Sequence, residues 1–232
     1  MSYKYETHLH TYPVSKCAQT DVRSNLEFYK TLGYDGVFVT NHFLDGNVNV
    51  DRNLPYEEKI DFYCSDYRKA KHLEKEMGIK VFFGIEMSLY WGTDFLVFGL
   101  DEDWLLAHAD AMDLPPKEKL EFLRSEGALV AQAHPYREAF YIDHIRLLPR
   151  SVQAVETINA SNTDQQNLLA DFYAKQYGLI AIAGSDNHCA SKMKTLAGVE
   201  FDKPICSEKQ FVEEILKNNH RLFSMKNPLA TE

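Results

Sequence analysis

Basic residues are scarce in this chain: 25 Lys and Arg stand against 34 Asp and Glu in 232 residues, a formal charge of −9. Such a balance argues against an extended nucleic-acid surface, because a phosphate backbone is held by clustered Lys and Arg. It does not exclude a small phosphorylated substrate, since bound metal ions bring positive charge of their own. No apolar run approaches the roughly 18 residues needed to cross a bilayer, so no membrane segment is expected. The opening MSYKYETHLHTYPVSK has no apolar stretch of the secretory-signal kind. The four cysteines, Cys17, Cys64, Cys189 and Cys206, show no C-x-x-C spacing, which speaks against both a disulfide framework and a zinc knuckle. The expectation is a cytoplasmic protein with reduced thiols. No repeat, low-complexity linker or compositional break divides the chain, so 1–232 reads as a single domain.

What is present is an alternation. At 45% hydrophobic content the chain can bury a sizeable core. Short apolar runs predict strands at Tyr3–Thr11, Gly36–Asn41, Val81–Leu89, Phe95–Leu100, Ala128–Ala133, Ala154–Asn159 and Leu179–Gly184. Amphipathic stretches between them predict helices. Asp21 is placed to cap one that stops at Gly33; Tyr56–Met77 ends at Gly78; Pro115 and Pro116 suit the first turn of a helix that stops at Gly127. Asn162 or Thr163 begins another, closed by Gly178, and Ser207 begins the last. Strand–helix repetition predicts a mainly parallel α/β sheet, and some seven units favour a barrel. Asp45–Pro55 reads as a polar loop near a strand end.

The histidines are not scattered. His8 and His10 form an H-x-H pair at the end of the first predicted strand, and alternate strand residues share a face. His42 follows the second run, Glu86 lies inside the third, His134 ends the ALVAQAH run, and Asp186 and His188 follow LIAIAGS. One H-x-H pair is common by chance, and His134 alone reads as a hydrogen-bonded core histidine. Glu86 is harder to account for without a cation, because an ionised carboxylate between FFGI and MSL is costly to bury alone; Asp186 invites the same argument. Seven ligand-type residues at five strand ends point to a metal site on the C-terminal rim of a barrel. Imidazole and carboxylate without thiolate suit Mn, Zn or Fe, and two or three ions could share Glu86. His72, His108, His144 and His220 read as surface or packing residues.

In order and spacing, His8-x-His10, TNH ending at His42, GIE ending at Glu86, AHP beginning at Ala133 and GSDNH ending at His188 resemble the PHP (polymerase and histidinol phosphatase) superfamily along nearly the whole chain. AVETINASN, from Ala154, is also similar to the strand preceding its last motif. The resemblance implies a distorted (β/α)7 barrel of the PHP type and a two- or three-metal phosphoesterase centre (Mn, Zn or Fe). In that reading His8, His10, Glu86 and Asp186 hold one ion; Glu86 bridges to a second, held also by His134; His42 and His188 belong to a third. Glu86, Asp186 and Arg137 would be the catalytic residues. A metal-activated hydroxide would be the nucleophile, and Arg137, whose fork suits phosphate oxygens, would hold the substrate phosphate.

There are departures from the family pattern. Glu6 stands at the first place of D-x-H-x-H and Asn41 within the usual TDH. Ser15 and Lys16 occupy the five- and six-residue positions after His10 where several trinuclear members have a ligand. Leu96 replaces a histidine about eleven residues after the bridging Glu; Asp94 is a candidate substitute, and Lys16 a candidate charge in place of an ion. The leading expectation is hydrolysis of a small phosphomonoester, nucleotide or histidinol-phosphate-like, with Tyr12, Tyr90, Trp91, Tyr136 and Tyr141 as candidates to stack on a ring. The alternative is a catalytically degenerate module binding metal or a protein partner. A metal-dependent hydrolase of amide bonds is the weaker third reading.

Overall fold

A two-residue period decides which side chains meet. In β3 (Lys80–Tyr90) Val81, Phe83, Ile85 and Met87 point one way and Phe82, Gly84 and Glu86 the other. The first set packs under helices; the second faces the inside of a curved sheet. The computed structural model describes residues 2–90 and 92–230. Their order is β1 (Tyr3–Leu9), α1 (Val22–Thr31), β2 (Gly36–Val39), α2 (Tyr56–Met77), β3, β4 (Thr93–Phe98), α3 (Glu102–Ala107), α4 (Pro116–Ser125), β5 (Leu129–Gln132), β6 (Ala154–Asn159), α5 (Asp164–Tyr177), β7 (Ile180–Gly184), β8 (Thr195–Phe201), α6 (Glu208–Leu216) and β9 (Arg221–Lys226). A 3-10 turn follows α3, at Ala109–Asp113, and another follows β7, at Ala190–Lys192.

The helix signals act as read. Asp21 accepts from Ser24 N at the start of α1, and Thr163 and Gln166 form a reciprocal cap on α5. Gly78 and Gly178 end α2 and α5 in the left-handed conformation. All seven expected strands form. Sequence reasoning missed α3, β8 and β9; β9 is a half-exposed edge strand with a weak apolar pattern.

One sheet runs β7-β6-β5-β4-β3-β2-β1-β8-β9. It is less parallel than expected. β1, β2, β3, β5, β6 and β7 share one direction, but β4 returns antiparallel between β3 and β5, directly after a hairpin, β8 is antiparallel beside β1, and β9 pairs antiparallel with β8 at the edge. The segment after β7 turns back onto β1: Asn187 N donates to His8 O and His10 N to Asn187 O. The sheet is therefore a nearly closed barrel. Tyr5, Phe38, Phe82, Leu96, Phe98, Leu129 and Ala131 fill its interior, with Phe211 and Ile215 of α6 against them. Above that apolar plug lie the polar residues. Among the described residues no helix is long and apolar enough to cross a membrane, and the four cysteines are free.

Candidate metal centre

β1, β2, β3, β5 and β7 run the same way, so their C-terminal ends open on one rim, and all seven expected residues converge there. His8, His10, Glu86, His134 and Asp186 are buried; His42 and His188 are partly so. Glu86 sits at the hub. His8 Nε2 is 3.0 Å and His134 Nε2 3.2 Å from its Oε1, and His42 Nδ1 is 2.6 Å and His10 Nε2 3.4 Å from its Oε2. Asp186 Oδ1 lies 3.2 Å from His10 Nε2, 3.4 Å from His8 Nε2 and 3.3 Å from His188 Nδ1. Four sets have ligand atoms within 4.8 Å of one another: His8–His10–Glu86, His8–His134–Asp186, Glu86–Asp94–His134 and His10–His42–His188. His134 and Asp186 have positive φ, 25° and 52°, a strained conformation that the surroundings must enforce.

The donor atoms suit a cation. His8 Nε2, His10 Nε2, His42 Nδ1 and Glu86 Oε2 are buried and crowd one another without a well-directed hydrogen bond, and such atoms are costly unless something satisfies them. Burial alone would raise the Glu86 carboxyl, yet His42, His8 and His10 hold it well below the carboxylate range. For Asp186 burial is likewise overridden, by Arg137, His8 and His188. Burial opposes a charge on His8, but Asp186, Glu156 and Glu86 raise it well above the histidine range. His10 goes the other way: burial, with His188 and His42 beside it, keeps it neutral.

Two tautomers follow from the hydrogen bonds. Glu156 Oε1, which can only accept when ionised, lies 2.9 Å from His8 Nδ1; when the ring is neutral its proton is on Nδ1, and the Nε2 lone pair is left for an ion. Ser15 Oγ spends its single proton on Asn41 Oδ1 at 2.7 Å. It must therefore accept from His10 Nδ1 at 3.1 Å, as it does from His42 N, which again leaves Nε2 free. Asn41 Nδ2 donates to Thr11 Oγ1, and that hydroxyl to the buried Asp66 of α2. So Ser15, at a position where the family pattern has a ligand, orients His10 instead.

Sequence reasoning missed Glu156. It also takes the backbone N–H of His134 and the amide of Asn159, and its signal was the one used for Glu86, an acid inside an apolar strand. Glu6 is not among the converging donors. Burial pushes its carboxyl up to about 7, and its Oε1 accepts from His8 N and Ser185 N, tying β1 to the end of β7. Leu96 is fully buried in the plug. Lys16 is exposed and does not line the site cavity, so it supplies no charge in place of an ion. Cys17 does line it; burial would raise its thiol, but His188 and His42 bring it down to about 6.

The cavity, about 700 Å³, exposes Glu86, Asp94, His134, Asp186, His188 and Arg137 at its base. Arg137 is no surface residue: Nη1 is 2.6 Å from Asp186 Oδ2, Nε donates to Asn162 and Nη2 to Asn159. These use three of its five N–H groups. Tyr90 and Tyr141 are on the walls. Tyr12 lies in a separate groove, Tyr136 packs edge-on against Tyr173, and Trp91 is outside the described residues.

Comparison with known proteins agrees with this geometry. Residues 164–219, from α5 through the GSDNH motif to the end of α6, match the family described as PHP-associated. Among solved structures, a two-domain protein from Bacteroides vulgatus containing a predicted PHP-like metal-dependent phosphoesterase superposes with a TM-score of 0.67 at 14% identity. The family match is confined to the C-terminal part of the chain, and the structural likeness shows the fold. The structural match covers 96% of this chain and 65% of that one, so the chain spans less than two thirds of that relative. A candidate metal-dependent phosphoesterase from Bifidobacterium adolescentis gives a TM-score of 0.58 at 15% identity, over 93% of this chain and 96% of its own. An amidohydrolase from Chromobacterium violaceum, with bound sulfate and no metal, gives 0.58 at 15%, over 94% and 97%. No protein of curated function matches the chain by sequence. At these identities the structural likenesses speak for the PHP-type barrel.

Proposed function

We propose that this chain is a metal-dependent phosphoesterase acting on a small phosphomonoester, nucleotide or histidinol-phosphate-like. The observation that carries the proposal is the convergence of imidazole and carboxylate atoms on Glu86 and Asp186, with the Arg137 fork on the same cavity. His8, His10, Glu86 and Asp186 would hold one divalent ion; Glu86 and His134 a second; His42 and His188 a third if one binds. Such ions lower the pKa of water and offset phosphate charge. The protein's own residues do the rest. Glu156 and Ser15 keep His8 and His10 in the tautomers that present Nε2. Asp186 turns Oδ1 to the imidazoles and Oδ2 to Arg137, so one carboxylate fixes both the ligand set and the guanidinium. Arg137 retains N–H groups for a phosphate oxygen. The plug below the centre closes the barrel from beneath, and the substrate must enter from the rim.

Sulfate bound to the Chromobacterium violaceum neighbour is a tetrahedral anion like phosphate and supports this reading, while that neighbour's name keeps amide hydrolysis as the second one. The test is elemental analysis of protein purified without chelator, with a phosphomonoester panel run on the same sample. At least two equivalents of Mn, Fe or Zn with chelator-sensitive turnover are expected. Metal with amide but no ester hydrolysis would favour the second reading, and neither metal nor turnover after metal addition would leave a degenerate binding module.

A further inference from the structure

The ion that Glu86 would share with His134 has only two protein ligands in the reading above, and a third residue lies beside them. Asp94 Oδ2 is 3.7 Å from His134 Nε2, and Glu86, Asp94 and His134 each offer an atom within 4.8 Å of the others. In the antiparallel β3–β4 ladder Leu96 stands opposite Glu86 and Asp94 opposite Ser88. All four side chains therefore share the interior face, and Asp94 is one step nearer the rim than Leu96. Leu96 belongs to the apolar plug; Asp94 lines the cavity. Its other oxygen is already committed: Ser88 Oγ donates to Oδ1 at 2.5 Å, which turns Oδ2 toward His134. The backbone fixes the approach as well, Ala133 N donating to Asp94 O. Two largely buried carboxylates facing one imidazole are unfavourable without a cation between them; burial, then Glu86, raises Asp94 above its ordinary value.

We propose that Asp94 is the third protein ligand of the ion bridged by Glu86, making that position richer in oxygen than the His10–His42–His188 side of the centre. The proposal rests on the metal-dependent reading of the site. Two carboxylates and one imidazole suit a hard ion such as Mn2+ better than an imidazole-rich set does. The bland alternative is that Asp94 only accepts the cross-strand hydrogen bond from Ser88.

The experiment compares wild type, Asp94→Asn and Asp94→His. Each is stripped of metal, loaded with Mn2+ or Zn2+, dialysed and assayed for metal equivalents, with Mn2+ affinity measured by titration and folding checked by thermal unfolding. Asp94→Asn keeps the Ser88 partner but loses the charge; it should hold about one equivalent fewer, or bind its weakest Mn2+ at least about tenfold less tightly. Asp94→His should recover the equivalent with its preference moved from Mn2+ toward Zn2+, and it decides the matter should Asp94→Asn not fold. An Asp94→Asn protein with wild-type equivalents and affinity, or an Asp94→His protein with unmoved preference, would overturn the assignment while leaving the metal centre intact. A wild type that takes up no metal at all would overturn the proposed function itself.

Discussion

Replacing Glu156 by Gln changes one atom and should disable His8. The carboxylate accepts three hydrogen bonds, from His8 Nδ1 at 2.9 Å on Oε1, and from His134 N at 3.0 Å and Asn159 Nδ2 at 2.8 Å on Oε2. Glutamine has one oxygen and one NH2 for these two sides. With the oxygen toward His134 and Asn159, the NH2 meets His8 Nδ1 and forces the proton to Nε2, where it points at Glu86 and blocks the lone pair. With the oxygen toward His8, the NH2 meets two donors that have no other place to go. Leaving buried donors unmade costs about 1–3 kcal/mol, so the second arrangement is the less stable. The expected result is the first: a folded protein whose metal affinity falls about 10–100-fold, some 1.4–2.7 kcal/mol, as for lost partners of other metal-bound histidines. Calorimetric titration of Mn2+ or Zn2+ into metal-stripped protein measures it, with thermal unfolding as the control for folding. A Glu156→Gln protein that binds metal as wild type does would mean that His8 is not held through its Nδ1 proton, and the tautomer argument would fall.

Three further outcomes are expected. Arg137→Ala should lower kcat/KM about 10–100-fold, the worth of a charge-assisted hydrogen bond or two to phosphate, with metal equivalents unchanged because Asp186 keeps Oδ1 for the ions; unaltered steady-state kinetics would reject the phosphate role. Gly184→Ala would set a methyl 2.6 Å from His8 Cβ and 2.9 Å from Glu156 Oε1; an overpacking loss of about 1–3 kcal/mol should appear in denaturant unfolding, and a wild-type midpoint would show that the close approach is not real. Metal affinity should rise with pH by up to about tenfold per unit, since His8, raised well above its ordinary value, must lose a proton before Nε2 can bind; equal affinities at pH 6 and pH 8 would contradict this. In the metal-free protein the sign for His8 is opposite: its contribution to stability is full below about pH 6.5 and fades as pH rises through the raised value. Glu86 and Asp186, held below the carboxylate range, contribute above about pH 4 and lose that contribution on acidification.

The strands and helices were legible because their signals are local: a two-residue period, an Asp or Thr before a helix, a glycine after one. The convergence of the seven residues was legible because a rim at strand ends turns a property of three-dimensional space into a property of the sequence, a histidine or acid just after an apolar run. β4's direction was not, because a strand's period carries no sense of travel and only the hairpin at Tyr90–Thr93 reverses it. The departures from the family pattern were visible but could not be interpreted. Asn41 and Ser15 stand 26 residues apart in sequence and look like two separate losses. In the fold they are one hydrogen-bonded pair, anchored through Thr11 to Asp66 on α2, and their joint effect is to fix the proton on His10 Nδ1. An aspartate at position 41 could not donate to Thr11 Oγ1 as the Asn41 amide does, so the two replacements make sense together and not singly. A centre in decay has no reason to keep a serine proton, an amide and a buried carboxylate in a line that ends on His10 Nδ1. That continuity argues against the degenerate reading and for a site that still requires His10 in one tautomer.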